Sequence, residues 1–536
     1  MNNRELPSGW SWTSLATIAD LKGGITKGQR RARGEMLQLV PYLRVANVQR
    51  GYLDLADVKQ IEASAEEIAE LRLVPGDVLF NEGGDRDKLG RGWVWNGELP
   101  LCIHQNHVFR ARIRFGILHP KLLSWYANTC GQQYFLEHGK QTTNLASINM
   151  TKLGALPVPV PPLREQARIL EEVEKYLSDI EAGMAILERV LANLKRYRAA
   201  VLKTAYEGRL VPTEAELAKK DGREYEPGDV LLRRILDARR ARREADQLGR
   251  TKKTQGAGDD KSQAKYDELK GPDIRSLSKL PEGWIWTCLR SIADLKGGVT
   301  KGQRRRQDEI LRAVPYLRVA NVQRGYLDLS ELKQILATDQ ELEELRLVRG
   351  DVLFNEGGDR DKLGRGWIWE EQLPLCIHQN HVFRARLTSG LVEPKFVSWY
   401  GNSCGQKYFV GEGKQTTNLA SINMSKLSAL PVPLPPVAEQ QRIVNEVDRL
   451  LSVADEAERG VRFQLARAQH LRQTVLKRAF EGKLVPQDPN DEPASALLDR
   501  SRATRAEASA ANGSGRTSRK GRAKELQADE GGLDRG

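Results

Sequence analysis

Cysteine is scarce in this chain, five in 536 residues, and no pair stands in CxxC spacing. With no secretion signal beside them, these thiols are expected to be reduced core residues rather than a disulfide framework. No apolar run reaches the roughly 18 residues that a membrane span requires, and the opening MNNRELPSGWSW lacks the charged-then-apolar order of a signal peptide. A cytoplasmic location is therefore expected. Signatures of catalysis are also missing. No Asn or Asp precedes a Pro-Pro-aromatic triplet as adenine methylation would need, since Pro161 and Pro162 follow Val160. LKGGITKG lacks the GK[ST] ending of a phosphate-cradling loop. His104 and His107 stand three apart with no third ligand nearby, so they read as hydrogen-bonding side chains and no metal site is assigned. The run PGDVLFNEGGDRDK offers Asp77, Glu82, Asp87 and Lys88 in the loose manner of a metal-dependent nuclease. That alternative requires both copies of the run to be catalytic.

What the chain does have is itself, twice. Leu6 to Pro212 recurs as Leu280 to Pro486 at a constant offset of 274, through YLRVANVQRGYLDL, NEGGDRDKLGRGW and HQNHVFRAR. A period of this size is that of a domain rather than a solenoid repeat. Cys102 and Cys130 recur as Cys376 and Cys404, while Cys288 stands where the first copy has Ser14. The formal charge of +13 favours a polyanionic partner, although it could equally serve solubility.

Within each copy, LPSGWSWTSL, PYLRVANV, GDVLF, GWVW and HVFRARI alternate like strands between glycine-bearing turns. Helices are expected around Ala63 to Leu71 and Pro120 to Glu137. The pattern changes at LPVPVPPLREQARI and LPVPLPPVAEQQRI, where a helix should begin just after Pro162 and Pro436. Apolar residues then fall at Ile169, Val173, Tyr176, Ile180, Leu187, Leu191, Leu194 and Val201, matched by Ile443, Val447, Leu450, Ala454, Val461, Leu465, Ala468 and Val475. This is a coiled-coil seam. Gly208 and Gly482 stand where C-caps belong. At 1.5 Å per residue each arm would be roughly 65 Å long. The expected partner of each arm is the other, antiparallel; an arm folded back on its own module is the alternative. The fold class is thus α+β: two similar strand-rich domains joined by two long antiparallel coiled-coil helices, with internal pseudo-twofold symmetry. The divisions are 1–161 first strand-rich domain, 162–212 first arm, 213–279 basic helix and polar linker, 280–435 second strand-rich domain, 436–486 second arm, and 487–536 a weak echo of the linker helix with a tail expected to be disordered. The basic helix of the linker could lie along phosphate or present a solvated face.

Four loops in each copy gather side chains suited to base edges and phosphates. The first holds Lys27, Gln29, Arg30 and Arg31, repeated as Lys301, Gln303, Arg304 and Arg305. The second holds Asn47, Gln49 and Arg50, repeated as Asn321, Gln323 and Arg324. The third holds Arg86, Lys88 and Arg91, repeated as Arg360, Lys362 and Arg365. The fourth holds Lys140, Gln141, Thr142, Thr143 and Asn144, repeated as Lys414, Gln415, Thr416, Thr417 and Asn418. All thirty are candidate DNA-binding residues, with the reservation that Asn47 could instead cap a turn.

Strand-rich modules followed by arms that begin PPLREQARI and PPVAEQQRI and end TAYEGRLVP and RAFEGKLVP resemble the specificity subunit of a type I restriction-modification system. The resemblance covers both halves. It implies a non-catalytic subunit that binds double-stranded DNA and holds two modification subunits, with restriction subunits joining the full complex. S-adenosylmethionine, ATP and Mg would reside on those partners, and this chain would bind no cofactor. Family members usually carry two dissimilar recognition domains, whereas these two are nearly identical, so the target is expected to be bipartite and palindromic, with the arms as a ruler for its spacer. A nuclease or fused restriction-modification enzyme, and a scaffold that binds only protein, remain the alternatives.

Overall fold

The computed structural model describes residues 5–28, 36–84, 88–141, 146–253, 271–302, 309–358, 362–415 and 420–506. The chain divides into two compact units, Met1–Leu187 with Phe463–Gly536, and Glu188–Arg462. Each unit therefore holds one strand-rich body, the first half of one long helix and the second half of the other.

In the first body an antiparallel four-stranded sheet runs Ala19–Lys22, Val108–Ile113, Val78–Asn81, Gly92–Val94. Beside it Leu37–Leu43 pairs antiparallel with Lys59–Ser64 and parallel with Ile103–His104. The Trp-rich opening, Ser11–Ser14, pairs antiparallel with Pro157–Val160, so the segment entering the body lies against the one leaving it. The second body repeats these ladders, for example Ile285–Cys288 on Pro431–Leu434 and Val352–Asn355 on Val382–Arg386. The expected first helix is Ala65–Leu71, started by a capping box in which Ser64 accepts from the Glu67 amide and Glu67 accepts from the Ser64 amide. The expected second is two helices, Pro120–Asn128 and Gln132–His138. All five cysteines are unbridged, and none is exposed.

The long helices run Leu163–Tyr206 and Val437–Phe480, starting directly after the proline pairs. What fastens each start is the Glu-Gln that follows. Gln166 donates to the carbonyls of Ile117 and Pro161 at 2.8 and 2.9 Å and accepts from the His119 amide. Glu165 accepts from the Trp10 indole at 3.0 Å; in the second unit Glu439 accepts from Trp284 and from the Glu214 amide, both at 2.8 Å. Burial raises both carboxyls above the usual carboxylate range. Both helices end on left-handed glycines, Gly208 at φ +65° and Gly482 at φ +64°. A Cβ on either would lie about 2 Å from a proline, Pro281 or Pro7, at the mouth of a body. Glycine is thus required twice over, by backbone conformation and by close approach.

Antiparallel pairing is visible inside each unit. In the first, Arg168 reaches Asp491 at 2.7 Å while Glu181 reaches Arg472 at 3.7 Å. In the second, Arg198 grips Asp455 and Glu458 at 2.6 and 2.5 Å, while Arg442 reaches Glu214 at 2.6 Å. One corrected seam position is Tyr176, which is 41% exposed, while its neighbour Leu177 is buried. Ile169, Val173 and Leu177 share the first body's core with Val475, Leu476 and Ala479; Val201, Ala205 and Tyr206 share the second with Ile443 and Val447. Burial is deepest where helices meet a body, because a helix pair alone covers only one stripe of each partner.

The basic linker helix, Gly228–Lys253, is docked rather than free. Its first amide donates to the Gly283 carbonyl at 2.7 Å, Leu231 and Ile235 enter the core, and Arg239 pairs with Asp294 at 2.5 Å. The echo at 494–506 is helical and repeats the attachment: the Ala494 amide donates to the Gly9 carbonyl at 2.8 Å, and Leu498 is buried. Among the described residues no helix is long and apolar enough to cross a membrane.

A buried imidazole in each body gives the fold a pH dependence. His104 and His378 each have Nδ1 at 2.7 Å from a backbone carbonyl, of Val108 and Val382. Burial pushes their pKa values down to about 4 and about 3. In the unfolded chain they titrate near the ordinary value, so below about pH 6.5 the unfolded state binds more protons than the folded one. Stability is complete above that pH and should fall by about 2 kcal/mol per histidine by pH 5. Urea titrations at pH 7.5 and 5 check this, and His104→Asn should flatten the profile of its own unit. A variant that keeps the wild-type slope would contradict it.

Candidate nucleic-acid interface

The loops singled out by sequence are carried on the four-stranded sheet and its neighbours, and one buried amide binds two of them. Asn81 ends a core strand. Its side chain donates to the carbonyls of Val45 and Val48 at 3.2 and 2.8 Å, and its backbone exchanges bonds with Arg91 and Gly90. The loop at 44–53 is thereby tied to the loop at 82–91. Asn355 does the same with Val319, Val322, Arg365 and Gly364.

Three loop regions meet around residues 105–107. Ile25 forms a bridge to Gln105, bringing the strand end that leads to Lys27 against this segment. The Glu82 amide donates to the His107 carbonyl at 2.9 Å, and the Glu82 carbonyl accepts from Ile148 at 2.8 Å. A small sheet, Lys140–Gln141, Ala146–Ser147, Gly83–Gly84, then joins the third and fourth loops. Lys27 and Lys140 are exposed on this surface, and the stem of half-buried Lys88 passes over Gly84. Lys301, Lys362 and Lys414 hold the same places in the second unit.

The second loop belongs elsewhere. Arg50 and Arg324 are exposed, but their turns lie towards the helical arms: a Cβ on Gly51 would be 3.2 Å from the Arg472 guanidinium, and Arg324 and Gly325 line a cavity of about 1120 Å³ together with Lys195 and Arg198. Asn47 and Asn321 are corrected outright. Asn47 is buried, accepting from the Arg44 amide at 2.9 Å and donating to the carbonyls of Asp54 and Asp57; Asn321 repeats all three bonds. With both ends of the amide consumed, neither can face a base. Gln49 is also occupied, donating to the Ala46 carbonyl at 2.7 Å and accepting from Arg91 at 3.1 Å. Gln323 donates to the Ala320 carbonyl, and Arg365 to the Val319 carbonyl. Gln49, Arg91, Gln323 and Arg365 thus brace the loops. Gln29, Arg30, Arg31, Arg86, Thr142, Thr143, Asn144, Gln303, Arg304, Arg305, Arg360, Thr416, Thr417 and Asn418 lie outside the described residues, as do the side chains of Gln141 and Gln415.

The nuclease alternative loses one of its four candidates. Asp77 is fully buried and gripped at both oxygens by Arg112, at 2.7 and 2.8 Å, while also accepting from the Val74 amide. Asp351 and Arg386 repeat this. A carboxylate ion-paired and sealed in this way is not accessible to a metal ion in solution. His104 and His107 also part company, the first in the core and the second exposed with Nδ1 2.5 Å from Glu82. Sequence reasoning passed over Asn81 and the Glu82–His107 pair, although both stand in stretches that recur unchanged.

No family model matches the chain. Among curated proteins it is 23% identical to the type I restriction enzyme EcoKI specificity subunit of Escherichia coli K12 over 540 aligned positions, covering 97% of this chain and all of that one. It is 27% identical to the EcoBI specificity subunit of Escherichia coli over 373 positions, 68% of this chain and 66% of that one. A solved chain described under complex assembly and conformational transition of the type I R-M system superimposes with a TM-score of 0.56 at 17% identity, covering 90% of this chain and all of the other, and shares the fold. Alongside the doubled strand-rich body and the long helices shared between the units, the chain is thus similar along nearly its whole length to type I restriction enzyme specificity subunits.

Proposed function

We propose that this chain is the DNA-reading subunit of a type I restriction-modification assembly and that its two bodies read inverted copies of one short sequence. The observation that carries this reading is the residue-for-residue repetition of the loop scaffold. Asn81 and Asn355, Asn47 and Asn321, Asp77 and Asp351 make matching bonds in the two units. Scaffolds this alike present like loops, and each unit joins the start of one long helix to the end of the other, running opposite. A repeat built that way suits a target that is itself inverted about its centre. Exposed lysines at 27, 140, 301 and 414 suit phosphates, which fix position while base contacts fix sequence.

Catalysis lies on partner subunits. In this proposal two modification subunits bring S-adenosylmethionine and methylate adenine, restriction subunits bring ATP and Mg, and this chain contributes placement alone. The spacer between half-sites follows from the length of the long helices. Sequencing of the host's methylated bases provides the test: the methylated motif should be two inverted copies of one short sequence flanking an unspecified spacer. Two unrelated half-sequences in that motif would end the palindromic reading.

A further inference from the structure

Among loops rich in cations, one carboxylate in each body stands out. Glu82 is part-exposed at the junction of the first, third and fourth loops, where its backbone binds both His107 and Ile148. Its Oε2 lies 2.5 Å from His107 Nδ1, and Glu356 and His381 repeat the pair at the same distance. A carboxylate at this junction repels phosphate, so on a surface that lies against DNA the lone pairs that His107 does not take favour a donor. The donors that duplex DNA offers in its major groove are the exocyclic amino groups of cytosine and adenine. The imidazole fits that role. In the tautomer that carries its proton on Nδ1 the ring donates to the carboxylate, holds Glu82 in one orientation and has Nε2 as a second acceptor.

We infer that Glu82 with His107, and Glu356 with His381, each read a major-groove amino group at one position of a half-site, Glu as the acceptor and His as the residue that orients it. This deepens the proposed function and rests on it. The amino group is that of cytosine or adenine on the strand read, and guanine and thymine, which present acceptors there, are rejected.

The duplicated architecture supplies its own control. The full chain, with the modification subunits that accompany it, is used to select duplexes from a randomised library, first as wild type and then as Glu82→Ala and Glu356→Ala. The wild type should select two like half-sites sharing a position restricted to cytosine or adenine. Glu82→Ala should relax that position in one half-site, lowering discrimination there by about 10- to 100-fold, and leave the other intact. Glu356→Ala should give the mirror-image result. A motif unchanged in both variants, or a loss of affinity spread evenly over all sequences, overturns the inference. Thermal melting separates such a loss from misfolding, and a variant that still reads one half-site is folded by that fact. A wild-type chain that selects no sequence would overturn the DNA-reading assignment itself.

Discussion

Tyr206→Ala should cost the second unit about 3–5 kcal/mol, the range for truncating a large buried aromatic. Tyr206 ends the first long helix and is buried in the core of the second body. Its ring meets Phe396 and Tyr400 edge-on, with centroids 4.9 and 5.2 Å away, and its hydroxyl donates to the Phe396 carbonyl at 2.6 Å. Truncation removes the ring contacts and the hydroxyl's hydrogen bond together. Tyr206→Phe removes the hydroxyl alone and should cost about 1 kcal/mol. The repeat supplies a comparison, because Phe480 holds the equivalent place in the first unit, edge-on to Tyr126 at 5.3 Å and without a hydroxyl. Phe480→Ala should destabilise the first unit by less, since its ring is only partly buried. Urea titration followed by tryptophan fluorescence measures all three. A Tyr206→Ala chain within 1 kcal/mol of wild type would mean that the helix end is not anchored as described.

The parts of this architecture that sequence foretold are those set by local chemistry. Proline pairs start the long helices because the missing amide costs nothing in a first turn, and Gly208 and Gly482 end them because only glycine adopts that backbone without strain. Period-two alternation located the core strands. The misjudged residues share one physical cause, since composition does not encode burial. A loop asparagine can read a base or brace a turn with equal chemistry, and only the carbonyls of Asp54 and Asp57 decide that Asn47 does the second. Tyr176 and Leu177 both satisfy a spacing of threes and fours, and packing against the body selects Leu177. Glu82 and His107 are 25 residues apart, so their pairing exists only after the strands assemble. Asp77 invited a metal-site reading because its partner, Arg112, lies 35 residues away.

Gly24→Ala with Gly298→Ala should abolish specific DNA binding while leaving most of the fold in place. Gly24 lies where the strand end leading to Lys27 crosses the His104 segment. The Ile25 amide donates to the His104 carbonyl at 2.8 Å, and the Asn106 amide returns a bond to Ile25 at 2.9 Å. A Cβ on Gly24 would sit 1.8 Å from the His104 carbonyl oxygen and 2.7 Å from the Gln105 carbonyl carbon; Gly298 meets His378 and Gln379 at the same distances. No rotamer relieves a clash between a Cβ and backbone, so the two segments must part and those bonds must stretch or break. The stability cost is of the size of core overpacking, about 1–3 kcal/mol. The functional cost is larger, because the displaced segment joins Lys27 to the Glu82–His107 junction and contacts on both sides lose register. Affinity for a specific duplex should fall about 10- to 100-fold for Gly24→Ala alone, the worth of one or two base contacts. The double variant should bind only as tightly as it binds unrelated DNA. Filter binding at fixed salt, with melting temperatures measured in parallel, distinguishes the two costs. Full affinity in the double variant would show that this crossing does not position the reading surface.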